Sequence, residues 1–263
     1  MENPRSDESL VEPPTEPGNL DRQGPSQRQR RVWDQRAIFD AVGTIVMTAA
    51  AVTLVWVALG SRGRAGSRVG AIPELILPKA ALSIDDAPAQ GSPTANVVLI
   101  QFSEFQCPYC GKFATETLPQ LTRDYIAPGR VQLIFRHLPL RSHQFALRAG
   151  EAAECAGAQG AFWPMHDLLF RNQRALEEAS LNGYARDLKL DATKFKACMR
   201  GEAMAKVSRD EDVAKGLGIA STPMFLVGIR KHDGKVQIRD SIRGARPYDD
   251  FRGVLDRILS KTN

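Results

Sequence analysis

The chain has 263 residues, 43% hydrophobic and 25% charged, which is enough for one sizeable domain with appendages or for two small ones. Its net charge of +5 arises from 35 Lys and Arg interspersed with 30 acids, and 7% of residues are aromatic. That pattern gives a solvated surface and no nucleic-acid platform, and four cysteines are too few for a disulfide-built scaffold.

Residues 1–36 are polar, rich in Pro, Arg, Asp, Glu and Gln, and lack an apolar period. Such a segment buries too little surface to offset its ordering entropy and is expected to be disordered. Residues 37–60 change character abruptly. No charge occurs between residues 41 and 60, and Ile45, Val46, Leu54, Val55 and Trp56 belong to an apolar run of membrane-spanning length. A buried core helix of that length would carry a polar stripe, and this one has none. The run therefore predicts one transmembrane signal-anchor helix in contact with the lipid bilayer. Ala58-Leu59-Gly60 has spacing that a signal peptidase tolerates, but the long leader and the length of the run favour an uncleaved anchor. Arg22, Arg28, Arg30, Arg31 and Arg36 before the span, against Arg62, Arg64 and Arg68 after it, place the N-terminus inside and the rest of the chain outside the cytoplasm.

Residues 61–80 read as a tether, Gly- and Arg-rich and then Pro-containing. The folded domain is expected over 81–263, beginning with a short edge strand over 81–84. Residues 97–102 are β-branched and aromatic with little polar alternation, the pattern of a buried strand. A helix over 109–125 and a strand over 131–136 follow. Helical spacing then runs over 143–159, 161–174 and 181–190, and Asp191 is placed to cap a helix over 193–199. A helix over 202–217 stops at Gly218. Strands over 224–227 and 236–239 flank an Asp233-Gly234 turn, and a helix over 248–259 closes the domain. The order is a βαβ unit, a block of helices and a ββα unit, an α/β class.

Cys107-Pro108-Tyr109-Cys110 falls where a strand ends and a helix begins. A helix's first turn has free N–H groups and a positive dipole end, and both stabilise a thiolate, the reactive form of cysteine. Pro108 suits the first helical position, where no N–H is needed. Two intervening residues let the sulfurs meet with little backbone movement, so the pair can cycle between dithiol and disulfide without a cofactor. Cys107, nearer the helix end, is assigned attack, and Cys110 resolution, with Pro108 and Tyr109 tuning the couple. The alternatives are half of a metal site or two bystander thiols. A zinc ribbon needs a second C-x-x-C, and neither a ribbon nor a classical finger is expected. Thr222-Pro223 opens a later strand, either as an ordinary trans pair or as a cis-proline loop facing the cysteines and offering its backbone to an extended peptide substrate.

These residues resemble the DsbA-like thioredoxin-fold oxidoreductases in their membrane-anchored bacterial form. The likeness runs through Phe102-Ser103-Glu104-Phe105-Gln106 and the C-P-Y-C, then Glu154-Cys155-Ala156, Gln159-Gly160, Phe162-Trp163, Met165-His166-Asp167, Leu169-Phe170 and Thr222-Pro223. It implies a thioredoxin-like fold with the helical block inserted over the active site. It also implies extracytoplasmic protein substrates bearing thiols or disulfides, and a membrane partner that restores the couple. The resemblance suggests that Cys155 and Cys198 pair; unpaired, they would be two small buried apolar residues. One departure stands out. Many thioredoxin relatives carry a proton-transferring acid six residues before the first cysteine, where this chain has Gln101. His143 and His166 are not expected to be catalytic; His166 reads as a satisfied helix histidine, and the aromatic cluster around it as core. An oxidase is the expected activity, because the stretch before the tether leaves no room for the dimerisation domain that an isomerase commonly uses. A reductase, an isomerase and a non-catalytic thiol metal chaperone are the alternatives.

Overall fold

A computed structural model describes residues 77–262 and, apart from them, Met47. The predicted span over 37–60 therefore lies outside the described residues except at Met47. Among the described residues no helix is long and apolar enough to cross a membrane.

Five strands form one sheet in the order β1-β3-β2-β4-β5, with β1 Ala89–Gln90, β2 Val97–Ser103, β3 Val131–His137, β4 Met224–Arg230 and β5 Val236–Arg243. β2 and β3 run parallel, and every other pairing is antiparallel. The parallel pair is joined by a continuous helical stretch: α1 (Pro108–Lys112), a π-helical turn (Phe113–Thr117), α2 (Leu118–Leu121) and a second π-helical turn (Thr122–Ile126). Pro119 lacks the N–H that would continue the α-helical ladder, and the π-helical turn before it is one way to absorb that loss.

Strand periodicity decides what lies on each face. Val97 and Leu99 point to one side and join Phe113, Leu121, Phe225, Phe251 and Leu255. Val98, Ile100 and Phe102 point to the other and join Ile134, Ala214, Leu226 and Ile238. Both faces are covered, which explains why β2 is apolar almost throughout. The closing helix α8 (Tyr248–Leu259) buries Phe251, Leu255 and Ile258, one stripe at helical spacing, with Asp249 and Asp250 in its first turn and Arg257 in its last.

Between β3 and β4 lies the insertion: α3 (Ala146–Gly157), α4 (Phe162–Arg171), α5 (Glu178–Asp187), α6 (Ala192–Cys198) and α7 (Met204–Gly216). Asp191 caps α6 as its position suggests, accepting from the backbone N–H groups of Thr193 and Lys194 at 2.9 and 3.0 Å. Cys155 on α3 and Cys198 at the end of α6 are disulfide-bonded, with Cα atoms 5.6 Å apart.

Two expectations need revision. No edge strand forms over 81–84; Leu82 makes a single bridge to Val236, and the edge partner of β3 is Ala89–Gln90. The intervening segment packs Leu82, Ile84 and Ala87 against a sheet face, so its apolar residues serve packing and not a ladder. Leu77 packs against the same cluster. The hairpin strands run longer than expected, with pairing carried through a bulge at Val227/Gly228 to Arg230 and Val236. Gly228 suits that bulge: a Cβ there would sit 2.5 Å from the Gln237 carbonyl oxygen.

Candidate active site

β2 ends at Ser103, and the chain turns through Glu104, Phe105 and Gln106 before Cys107 caps α1. Cys107 has extended dihedrals and Pro108 follows at the first helical position, so the sulfur stands at the free N–H end of the helix. Phe105 pins the turn by burying its ring among Phe135 and Phe170, at centroid distances of 5.4 and 4.8 Å.

Cys107 and Cys110 are both unpaired thiols, 3% and 0% exposed. Their environments drive them apart. A hydrogen bond from the Cys110 thiol, aided by Thr222 and the backbone N–H groups of Cys110 and Tyr109, outweighs burial and lowers the Cys107 pKa from 9.0 to about 5. Burial, and its role as donor to Cys107, push Cys110 strongly upward. One sulfur is therefore an anion at neutral pH and its neighbour a neutral thiol.

The Thr222–Pro223 peptide is cis. It brings the Thr222 carbonyl oxygen 3.6 Å from Cys107 Sγ across a sequence gap of 115 residues. Tyr109, between the cysteines in sequence, is 66% exposed.

Gln101 is fully buried on β2, opposite Phe135 and Phe225, and neither side-chain polar atom has a partner among the described residues. The acid in the turn is Glu104 instead. Burial raises its pKa, and the nearby Cys107 adds to the rise, while His143 and the Gln106 N–H oppose it. One carboxylate oxygen accepts from Gln106 N at 2.6 Å and the other is closely hydrogen-bonded to His143 Nδ1.

His143 therefore lies nearer the site than its sequence context suggested. His166 is also not fully satisfied: Nδ1 bonds Asp167 at 2.9 Å, but buried Nε2 has no hydrogen-bond partner among the described residues. Burial among Phe105, Phe135, Trp163 and Phe170 lowers the pKa of His166. His137 and His143 have five residues between them in the chain. They diverge, however, to Glu154 at 3.0 Å and to Glu104 respectively. Among the described residues no group of three or more His, Cys, Asp or Glu is arranged to hold a metal ion.

Sequence reasoning also missed Gln173, just beyond α4. Its side-chain amide donates to the Phe105 and Cys107 carbonyls at 2.8 and 2.9 Å. A glutamine after a helix carries no recognisable signal; only the fold brings it under the cysteine turn.

Residues 84–244 match the thioredoxin family. A thioredoxin-like oxidoreductase from Silicibacter pomeroyi superposes with a TM-score of 0.55 at 26% identity, over 66% of this chain and 92% of that one. Wolbachia pipientis alpha-DsbA1 has the same fold, with a TM-score of 0.58 at 23% identity over 68% of this chain and 94% of the other. In sequence, the Na(+)/H(+) antiporter NhaA 3 of Salinispora tropica is 35% identical over 205 residues, 75% of this chain. The chain spans 31% of that antiporter's length.

Proposed function

This chain belongs to the thioredoxin family, and on that premise we propose that it is a thiol–disulfide oxidoreductase of DsbA type, working as an oxidase. The carrying observation is the asymmetry of the pair: a stabilised Cys107 thiolate at a helix N-terminus above a protonated, buried Cys110. In the oxidised enzyme a substrate thiolate attacks Cys107 Sγ, forming a mixed disulfide and releasing the electron pair to Cys110 Sγ, which takes up a proton. A second substrate thiolate then attacks the substrate sulfur of that mixed disulfide. A substrate disulfide forms, and Cys107 leaves as its stabilised thiolate. In reverse, Cys107 attacks and Cys110 resolves.

Oxidation is the favoured direction because stabilising Cys107 as a leaving thiolate stabilises the reduced enzyme and makes the disulfide easier to give away. The linkage has a definite sign. With the folded pKa lowered to about 5, the reduced form gains stability that is complete above the ordinary 9.0 and is lost as pH falls through about 5.

The Thr222–Pro223 loop and the exposed Tyr109 ring are the surfaces offered to an extended peptide. An oxidising, extracytoplasmic location accords with the Cys155–Cys198 disulfide and with the apolar, charge-free run over 41–60, which would hold the domain at the outer side of the membrane. A membrane partner would then reoxidise the couple. Ion transport is not carried over from the Salinispora tropica antiporter, since the match accounts for 31% of its length.

The reading is tested by following thiolate absorbance of the reduced protein against pH alongside turnover of a reduced, unfolded disulfide protein. A titration midpoint near 5 and catalytic reoxidation of the substrate are expected. An ordinary midpoint near 9 would remove the basis of the oxidase reading, and tight copper or zinc binding without turnover would favour the metal-chaperone alternative.

A further inference from the structure

We propose that Gln173 is a positioning residue for Cys107, through which the helical insertion holds the entry to the active-site helix, with Gly111 as the seat that admits it. The proposal rests on the thiol–disulfide reading above and concerns how its nucleophile is held.

Gln173 stands on a firm base. At the end of α4 the Asn172 N–H bonds the Leu168 and Leu169 carbonyls at 3.1 and 3.2 Å, and Asn172 Nδ2 returns to Leu168 O at 2.8 Å. Ala175 N closes the next turn onto Asn172 O at 2.8 Å. From this corner the Gln173 amide uses Nε2 to reach the carbonyls on both sides of Gln106, Phe105 O at 2.8 Å and Cys107 O at 2.9 Å. The amide nitrogen has two N–H donors, one for each carbonyl.

Cys107 O also accepts from Gly111 N at 3.1 Å, the bond that starts the helix. This carbonyl therefore joins the helix to the insertion, and Gln173 restrains the peptide groups that aim the Cys107 side chain. A carboxamide suits the position because it donates twice while bringing no net charge toward the thiolate.

Gly111 supplies independent geometric support. A Cβ at residue 111 would lie 2.2 Å from Gln173 Oε1 and 2.7 Å from its Cδ. Alanine is the better helix former, yet it could be accommodated only by displacing the Gln173 side chain. Since the clash is with the end of a flexible side chain and not with backbone, Gly111→Ala should release the clamp and leave the fold standing.

The titratable groups facing Cys107 are Cys110 and Glu104, the latter paired with His143, and the variants leave all three unchanged. The test is a double-mutant cycle read by the thiolate titration of reduced full-length protein, with circular dichroism as the folding control. Gln173→Ala is expected to raise the midpoint by about one pH unit, the free-energy scale of one neutral hydrogen bond lost from the backbone that aims Cys107. Gly111→Ala should do the same, and the double variant should shift no further than either single. Gln173→Glu should shift it further, by turning carboxylate oxygens toward two carbonyls and the thiolate. Unchanged midpoints, additive shifts, or loss of the fold in Gln173→Ala would each overturn the positioning role. If the wild type lacks exchange activity, the oxidoreductase reading fails, while the midpoints still judge the clamp.

Discussion

A Cys107→Ser variant is expected to lose disulfide exchange down to the uncatalysed background, while Cys110→Ser attacks once and then stalls. The difference follows from the separation of the two sulfurs in pKa. Cys107 is the thiolate at the helix end, and a serine hydroxyl there is neither ionised at neutral pH nor able to form the mixed disulfide. Cys110 is buried and protonated, so its removal spares the attack but removes the resolving group. Cys110→Ser should therefore accumulate a covalent adduct with a disulfide substrate, visible as a reductant-sensitive mass increase, and Cys107→Ser should form none. Adducts on Cys107→Ser, or full turnover by Cys110→Ser, would reverse the assigned roles. Cys110→Ala, which leaves no donor at that position, removes the hydrogen bond that contributes most to the Cys107 thiolate, so its titration midpoint should rise toward the ordinary value.

The largest effect on stability is expected at Asp210, far from the cysteines in sequence. Its carboxylate reaches from α7 to β3, pairing with Arg136 at 2.6 Å through one oxygen and accepting from His137 N at 2.8 Å through the other. The Arg136 and Asp210 side chains are only 11% and 6% exposed. In Asp210→Ala the guanidinium keeps the Ser83 carbonyl at 2.9 Å but loses its counter-charge while largely buried. Breaking a buried pair from one side costs about 3–5 kcal/mol, a large part of the stability of a domain this size. Urea unfolding should show a lower midpoint with an unchanged slope. Asp210→Asn retains the capacity to accept from His137 and should fall between the two. A change within about 0.5 kcal/mol for Asp210→Ala, as typical of surface positions, would show that α7 is not tied to the sheet by this pair.

Much of this was legible in the chain. The C-P-Y-C at a strand-to-helix junction, the Thr222-Pro223 pair and the order of strands and helices are local signals, readable from periodicity, proline and capping residues. The misses have a common physical cause. Leu82, Ile84 and Ala87 are apolar because they pack on a sheet face, and composition alone does not separate that from edge pairing. Glu104–His143 and Gln173 with its two carbonyls are contacts made across the insertion; each depends on how the helices return over the cysteine turn. Gln101 shows where an acid is missing, but only the fold shows that Glu104 occupies a buried place coupled to Cys107.

The reduction potential of the Cys107–Cys110 couple, measured by equilibration with glutathione, tests the oxidase reading most directly. Couples become more oxidising as the attacking cysteine becomes more acidic: thioredoxin has a pKa of about 7 and a potential of about −270 mV, and DsbA about 3.5 and about −120 mV. With Cys107 lowered to about 5, this couple should fall between those limits. A potential at or below about −270 mV would contradict the oxidase assignment and make the protein a reductase.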